Sequence, residues 1–357
     1  MKQSRLWAGI GIWLAGAMLA AAAPVDWDFY ASARVFTFVE DKDTADGKTF
    51  ADGEDSDLNY EMGLLTTSRL GARVKVDDNV SGLMEISLAE SGVNLRHLVG
   101  YWDFGPGKLS IGQTRTPVGR QDSLRTRNDD LGLTAFGEPY LGRRPLLQLE
   151  MYGVKLAVVK PHSITNIYTS TNTTSEVDNP MPRVEVSWTK KAGISTWDLF
   201  GGFHTYTISS PEEDFDVQSG MIGGGLMLKP DPVYIRAIGY YARNARQFGQ
   251  YLSPQPASFG SAKISEDDEV IDNDVLAGAL FGGYKFSDRV KAEIGYGYIQ
   301  SKDDASGADT EKWQCYYAQA TVTLYKGFTV TPEVGVMEDI ETNQRVTYAG
   351  AKWQANF

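Results

Sequence analysis

Arg345-Val-Thr-Tyr-Ala-Gly-Ala-Lys-Trp-Gln-Ala-Asn-Phe357 ends the chain, and its reading decides the fold. Counting back from Phe357 in steps of two gives Ala355, Trp353, Ala351, Ala349 and Thr347, a set suited to lipid. The alternate set, Asn356, Gln354, Lys352, Gly350 and Tyr348, mostly wants water. Successive side chains of a strand point to opposite faces, so this segment predicts a strand that is dry on one side and wet on the other. Such a strand fits the closing staple of a β-barrel set in lipid. Phe357 is then expected to serve as its assembly signal.

The other end agrees. Lys2 and Arg5 precede an uncharged apolar run over 6–19, followed by Ala20-Ala21-Ala22-Ala23-Pro24. This reads as a signal peptide, 1–22, cut after Ala22 because a later cut would set Pro24 at the scissile bond. The run is short of the ~20 residues a spanning helix needs. Later apolar stretches, 275–284 and 221–228, are about half that length and rich in Gly. The expectation is an exported chain whose barrel occupies 23–357. A lone cysteine, Cys315, excludes a disulfide framework and a multi-cysteine metal site.

Alternation recurs upstream. Strands are predicted at 25–40, 58–76, 80–90, 95–104, 108–116, 145–152, 154–160, 182–191, 194–208, 218–229, 233–245, 273–286, 290–301, 312–325, 328–340 and 345–357. That is about sixteen, an even number, which returns the C-terminus to the rim where the chain began. Turns such as Asp77-Asp78-Asn79, Gly105-Pro106-Gly107 and Lys326-Gly327 are short. The connections 41–57, 117–144, 161–181 and 246–272 are long and polar, the asymmetry of an outer-membrane barrel. A soluble β-sandwich would keep its inward positions consistently aliphatic. Here one set in 58–76 runs Asn59, Glu61, Gly63, Thr67, Arg69, Gly71, Arg73 and Lys75, which favours a wet lumen. Trp27, Tyr101, Trp102, Trp188, Trp313 and Trp353 are placed as interface girdles.

The long segment 117–144 is unusually charged. It follows Gly112-Gln113-Thr114-Arg115-Thr116-Pro117 and leads into Arg143-Arg144-Pro145. Here the chain resembles the general porins of Gram-negative bacteria, in which a Gly-Gln-x-x-x-Pro passage ends strand five and the third loop folds into the lumen. The resemblance covers signal, strand number, third loop and terminal Phe. It implies a transmembrane antiparallel barrel of about 16 strands with an inward-folded constriction loop. The implied activity is passive diffusion of small hydrophilic solutes and ions. The implied setting is the cell outer membrane, among lipid and lipopolysaccharide, as a homotrimer.

The resemblance also implies basic side chains on the wall facing carboxylates on the loop. Parity nominates Arg34, Arg69, Arg73 and Lys75, with Arg96 on a strand whose facing is ambiguous. The loop offers Asp122, Asp129, Asp130 and Glu138. Arg115, Arg120, Arg125, Arg127, Arg143 and Arg144 complete the candidate constriction. The loop is more basic than in the better-known porins. Acid predominates overall, 46 residues against 34 basic ones and a formal net charge of −12, but much of it lies in outer loops. Such charge is screened beyond about 8 Å at physiological salt. The expectation is therefore weak anion preference or near neutrality.

Rival readings are a channel selective for one solute, anion, phosphate or sugar, and an outer-membrane barrel enzyme or adhesin. A sugar slide would draw on Tyr30, Phe36, Phe38 and Tyr348. His97, His162 and His204 lack metal spacing, and no nucleophile elbow or Walker loop occurs. Asp41-x-Asp43-x-x-Asp46-Gly47 misses the calcium-loop pattern. No catalytic residue, metal or cofactor is expected. Nor is nucleic acid, because no basic stripe interleaves with aromatics.

Overall fold

The computed structural model describes residues 25–43, 58–90, 92–140, 142–162, 176–209, 213–248, 259–265, 269–305 and 307–357. The expected signal segment 1–22 and the acidic stretch 44–57 lie outside these residues.

Strand pairing is antiparallel throughout and closes on itself. The main sheet has eighteen segments. Two of them, Asn59–Leu64 and Arg69–Lys75, are halves of one strand along Asp26–Asp43. A third, Glu176–Asp178, extends Arg183–Ala192 along Ser195–Ser209. The barrel thus has sixteen strands, and each predicted strand coincides with one of them. Turn chemistry sets the short rim. Asp77 Oδ1 accepts from the backbone N–H of Asn79 at 2.8 Å and of Val80 at 2.6 Å, an Asx-type turn.

The chain ends close the barrel. Asp26–Asp43 pairs with Gln344–Asn356 from Ser32 opposite Asn356 to Asp43 opposite Arg345. Phe357 continues the ladder, exchanging backbone hydrogen bonds with Ala31 at 2.7 and 3.1 Å. Pairing the two end strands closes the sheet and spares it the open edge that would be costly in lipid.

Two irregularities matter for what the lumen presents. In the second strand, 65–68 leaves the ladder opposite only Ala33 and Arg34. Ser68 Oγ fills the gap, donating to Arg34 O at 3.1 Å and accepting from Arg34 N at 3.0 Å. Four residues against two keeps the even-odd pattern, so both halves turn the same set inward. In the ladder between the third and fourth strands, Glu85 pairs with His97 and Ile86 with Leu95, leaving Arg96 as the extra residue of a bulge. Arg96 and His97 therefore both face the lumen, as bulges commonly re-aim side chains.

Leu98, Trp102, Ile111, Leu199, Ile294 and Trp353 face outward and are exposed. Two girdle candidates differ from expectation. Tyr101 points inward beside Lys108, and Trp313 packs against interior apolar side chains. The buried apolar cluster sits inside the barrel, where Val118, Leu133 and Phe136 of the inward loop meet Phe38, Phe281 and Tyr348 of the wall. Ala245, Phe248 and Phe259 from the connection after Val233–Arg243 join it. One side of the lumen is thus filled and dry, and the free passage is pushed to the other.

Candidate functional site

The inward loop runs over 116–142, between strands Gly107–Arg115 and Arg143–Met151, and carries a short helix at Arg127–Asp130. Arg143 and Arg144, expected at the loop's end, belong to the next strand. Carboxylates of the wall hold the loop by its backbone. Glu293 Oε1 accepts from Leu124 N at 2.6 Å. Glu333 accepts from Thr126 N at 2.5 Å, Thr126 Oγ1 at 3.0 Å and Arg127 N at 3.1 Å. Glu185 accepts from Val118 N at 3.2 Å. Hydrogen bonds to charged acceptors contribute about 1.5–3 kcal/mol each, so this set fixes the loop firmly. At Phe136 the loop backbone lies so close to the wall that a Cβ on Gly297 would stand 2.1 Å from Phe136 O. Only glycine tolerates that approach.

Several residues expected at the constriction serve this anchoring instead. Arg125 is 1% exposed. Its Nε donates to Tyr348 OH at 2.9 Å, and its guanidinium lies 5.4 Å from the rings of Phe136 and Tyr348. Arg127 binds Glu40 and Glu61 over the Phe38 ring. Glu138 is wholly buried and accepts from Asp122 N, Ser123 N, Ser123 Oγ and Leu133 N at 2.5–2.9 Å. Burial pushes its pKa up while these donors oppose the rise. Arg125 and Arg127 are drawn to the wall by their partners there, whereas every partner of Glu138 belongs to the loop itself, which it holds together.

The opening beside the loop is a cavity of about 360 Å³, and its lining is strongly basic. Arg34, Arg69, Arg96, Arg115, Arg143 and Lys352 contribute from the wall, with Lys291 further round. Two carboxylates oppose them. Asp130, at the end of the loop helix, binds Arg34 and, at 2.6 Å, Lys352 Nζ. Glu85 accepts from Arg96 Nε at 2.6 Å and Tyr30 OH at 2.8 Å, and lies 3.6 Å from Arg69 Nη1. Arg115 Nη2 donates to Gln121 Oε1 at 2.8 Å. Arg143 Nε donates to His97 Nε2 at 2.9 Å. Cations outnumber carboxylates across the opening, so its local charge balance is positive.

The remaining candidates stand elsewhere. Arg73 pairs with Asp28 at 3.0 Å and Lys75 with Asp78 at 2.7 Å, both near the short-turn rim and outside the constriction lining. Four strand residues advance the chain by roughly 13 Å, which carries Arg73 away from Arg69. Arg120 turns to the other side of the loop, donating to Pro117 O at 2.5 Å and lying 3.9 Å from Asp198. Asp122 pairs with Arg236 at 2.9 Å on that side. Arg144 stands opposite Thr114, outside the lining. The side chain of Asp129 lies outside the described residues. Among the described residues no group of His, Cys, Asp and Glu could hold a metal ion.

Four contributors were not nominated from the sequence: Lys352, Lys291, Glu85 and His97. Tail parity already placed Lys352 on the wet face. His97 was hidden by the bulge. For the sugar slide, Phe38 and Tyr348 pack edge to face at 5.8 Å in the dry seam, so neither ring lines the passage.

No family model matches this sequence, and no curated protein matches it either. Likeness in fold is extensive. The outer membrane channel DcaP of Acinetobacter baumannii superposes with a TM-score of 0.71 at 17% identity, over 94% of this chain and 99% of that one. An anion-selective porin from Comamonas acidovorans gives a TM-score of 0.57 at 10% identity, over 93% and 100%. OmpT of Vibrio cholerae, in its trimer form, gives 0.56 at 15% identity, over 93% and 99%. The architecture is that of the Gram-negative porins: a closed sixteen-stranded barrel with a loop folded into its lumen.

Proposed function

We propose that the protein is a passive, water-filled channel of the outer membrane that admits small hydrophilic solutes and prefers anions. One observation carries this: the opening beside the inward loop is lined by seven cationic side chains against Asp130 and Glu85. At about 4 Å, two unit charges interact by roughly 4 kcal/mol at an effective dielectric of 20, so these groups outweigh the screened acid of the outer loops. In this reading residues 1–22 direct export and are removed, 23–357 form the barrel, and the chain assembles as a homotrimer among lipid and lipopolysaccharide. It works without catalysis or a cofactor.

Planar-bilayer recording tests the reading. The purified, detergent-folded chain is expected to insert in steps of stable conductance, with a zero-current potential of the anion-preferring sign in a potassium chloride gradient. Silent membranes, or a cation-preferring sign, would overturn it.

A further inference from the structure

Within the constriction, neutralisation is uneven. Asp130 serves Arg34 and Lys352, and Glu85 serves Arg69 and Arg96. Arg115 and Arg143 are direct register partners on neighbouring strands. Side chains so paired have Cβ atoms about 5 Å apart, and like charges there repel. Among the described residues no carboxylate pairs with either. Their partners, Gln121 and His97, are a neutral amide and an imidazole nitrogen that accepts. His97 is held in turn, its Nδ1 2.9 Å from Thr114 Oγ1. Lys291, on the same lining, also has no carboxylate partner among the described residues.

A protein that places two guanidinium groups side by side in a water-filled passage leaves them wanting a shared counterion. Each retains N–H donors beyond those already engaged, arranged as a planar fork that matches the oxygens of phosphate or carboxylate. Because the two forks rise from adjacent strands and line one cavity, a single small group can reach both. An extended molecule with charges at both ends would need separated cations.

We propose that Arg115 and Arg143, aided by Lys291, form a binding site for a compact, doubly charged oxyanion. The fitting chemistry is phosphate, free or as the phosphoryl group of a small ester. This rests on the channel reading above and adds saturable binding to it. His97 is a positioning residue, accepting the Arg143 Nε proton so that the Nη groups remain for the anion.

The test is block of chloride current in planar bilayers by inorganic phosphate, glycerol phosphate or sulfate near neutral pH. Expected is a concentration-dependent block that saturates. In an R115Q/R143Q variant, assembly of which is checked by heat-modifiable mobility, the half-blocking concentration should rise about tenfold or more. Should that pair fail to assemble, R143K keeps the charge, loses the fork and should weaken block by a smaller factor. R73Q, at the rim, should leave block unchanged. A phosphate ester loses its second charge near pH 6 and free phosphate somewhat higher, so acidification to about pH 5 should weaken block by both and spare sulfate block. Equal block by the ester and the free ion places recognition on the phosphoryl group, and block by the free ion alone narrows it to inorganic phosphate. An open, anion-preferring channel that no oxyanion blocks overturns the site and leaves the channel reading standing. So does equal block of the assembled double variant. A silent membrane overturns both.

Discussion

Arg125 Nε donates to the Tyr348 hydroxyl at 2.9 Å, fastening the inward loop to the strand that closes the barrel. The same hydroxyl donates to Glu333 Oε1 at 3.1 Å, and Glu333 also holds Thr126 and Arg127. Breaking a buried charged set by removing one partner costs about 3–5 kcal/mol. Arg125→Ala should therefore loosen the loop while the strand ladder survives. The expected record is larger, noisier single-channel conductance from protein with unchanged heat-modifiable mobility. Wild-type conductance in that variant would show that the loop is held without this contact.

A steric route to the same end avoids touching charge. The Cβ of a Gly297→Ala variant would lie 2.1 Å from Phe136 O, against backbone rather than a movable side-chain tip. The loop must lift, and a Gly297→Val variant should lift it further. Conductance should increase in the order Gly, Ala, Val, with ion preference falling as the opening widens. A narrower or unchanged channel would mean that the wall yields instead of the loop.

Much of this architecture was readable in advance, and the reason is the period of two. Lipid outside and water inside impose alternation on every strand, so Trp353 and Lys352 declare their faces without any structure. Where the ladder is regular, parity suffices. Arg96 defeated it because a bulge inserts one residue and turns two neighbours inward. The loop defeated it for another reason. Leu124 reaches Glu293, and Thr126 reaches Glu333, across 169 and 207 residues of chain. No local pattern in 116–142 announces which of its arginines meets a wall carboxylate and which meets water.

Closure makes the last residue structural. Phe357 exchanges two backbone hydrogen bonds with Ala31, completing the seam that begins at Ser32 and Asn356. Deleting Phe357 leaves Ala31 N–H and C=O without their ladder partners, an open edge that is costly wherever lipid reaches it. The truncated chain should yield less of the fast-migrating folded form before boiling and less channel activity per unit protein. Equal yields of folded barrel would show that the seam closes without it.

Arg69 and Arg73 share a strand face and separate two ideas about selectivity. Arg69 lines the constriction, whereas Arg73 lies beside Asp28 at the rim, largely exposed and paired. An exposed ion pair contributes little, about 0–1 kcal/mol, and its field is screened by salt. Arg69→Gln should move the zero-current potential towards cations, and Arg73→Gln should move it far less. A larger shift from Arg73 would relocate the selective region to the rim.

Asp130 gives the sharpest reading of sign, because one loop carboxylate restrains two wall cations, Arg34 and Lys352. Replacing it by Asn removes one negative charge from the lining of the opening and leaves those two cations without their counter-charge. The geometry of the loop need not change, since Asp130 O still accepts from Gln121 Nε2 at 2.8 Å and the wall anchors at Glu293 and Glu333 are untouched. The field at the opening should become more positive. Asp130→Asn is expected to shift the zero-current potential further towards the anion limit, with the shift shrinking as salt is raised and the added field is screened. Like-charge repulsion between Arg34 and Lys352 should also lower the stability of the variant, and added chloride should restore part of it by occupying the vacated place. A shift towards cations, or none, would mean that Arg34 and Lys352 swing out of the passage once freed, and that the carboxylate sets their position more than their charge.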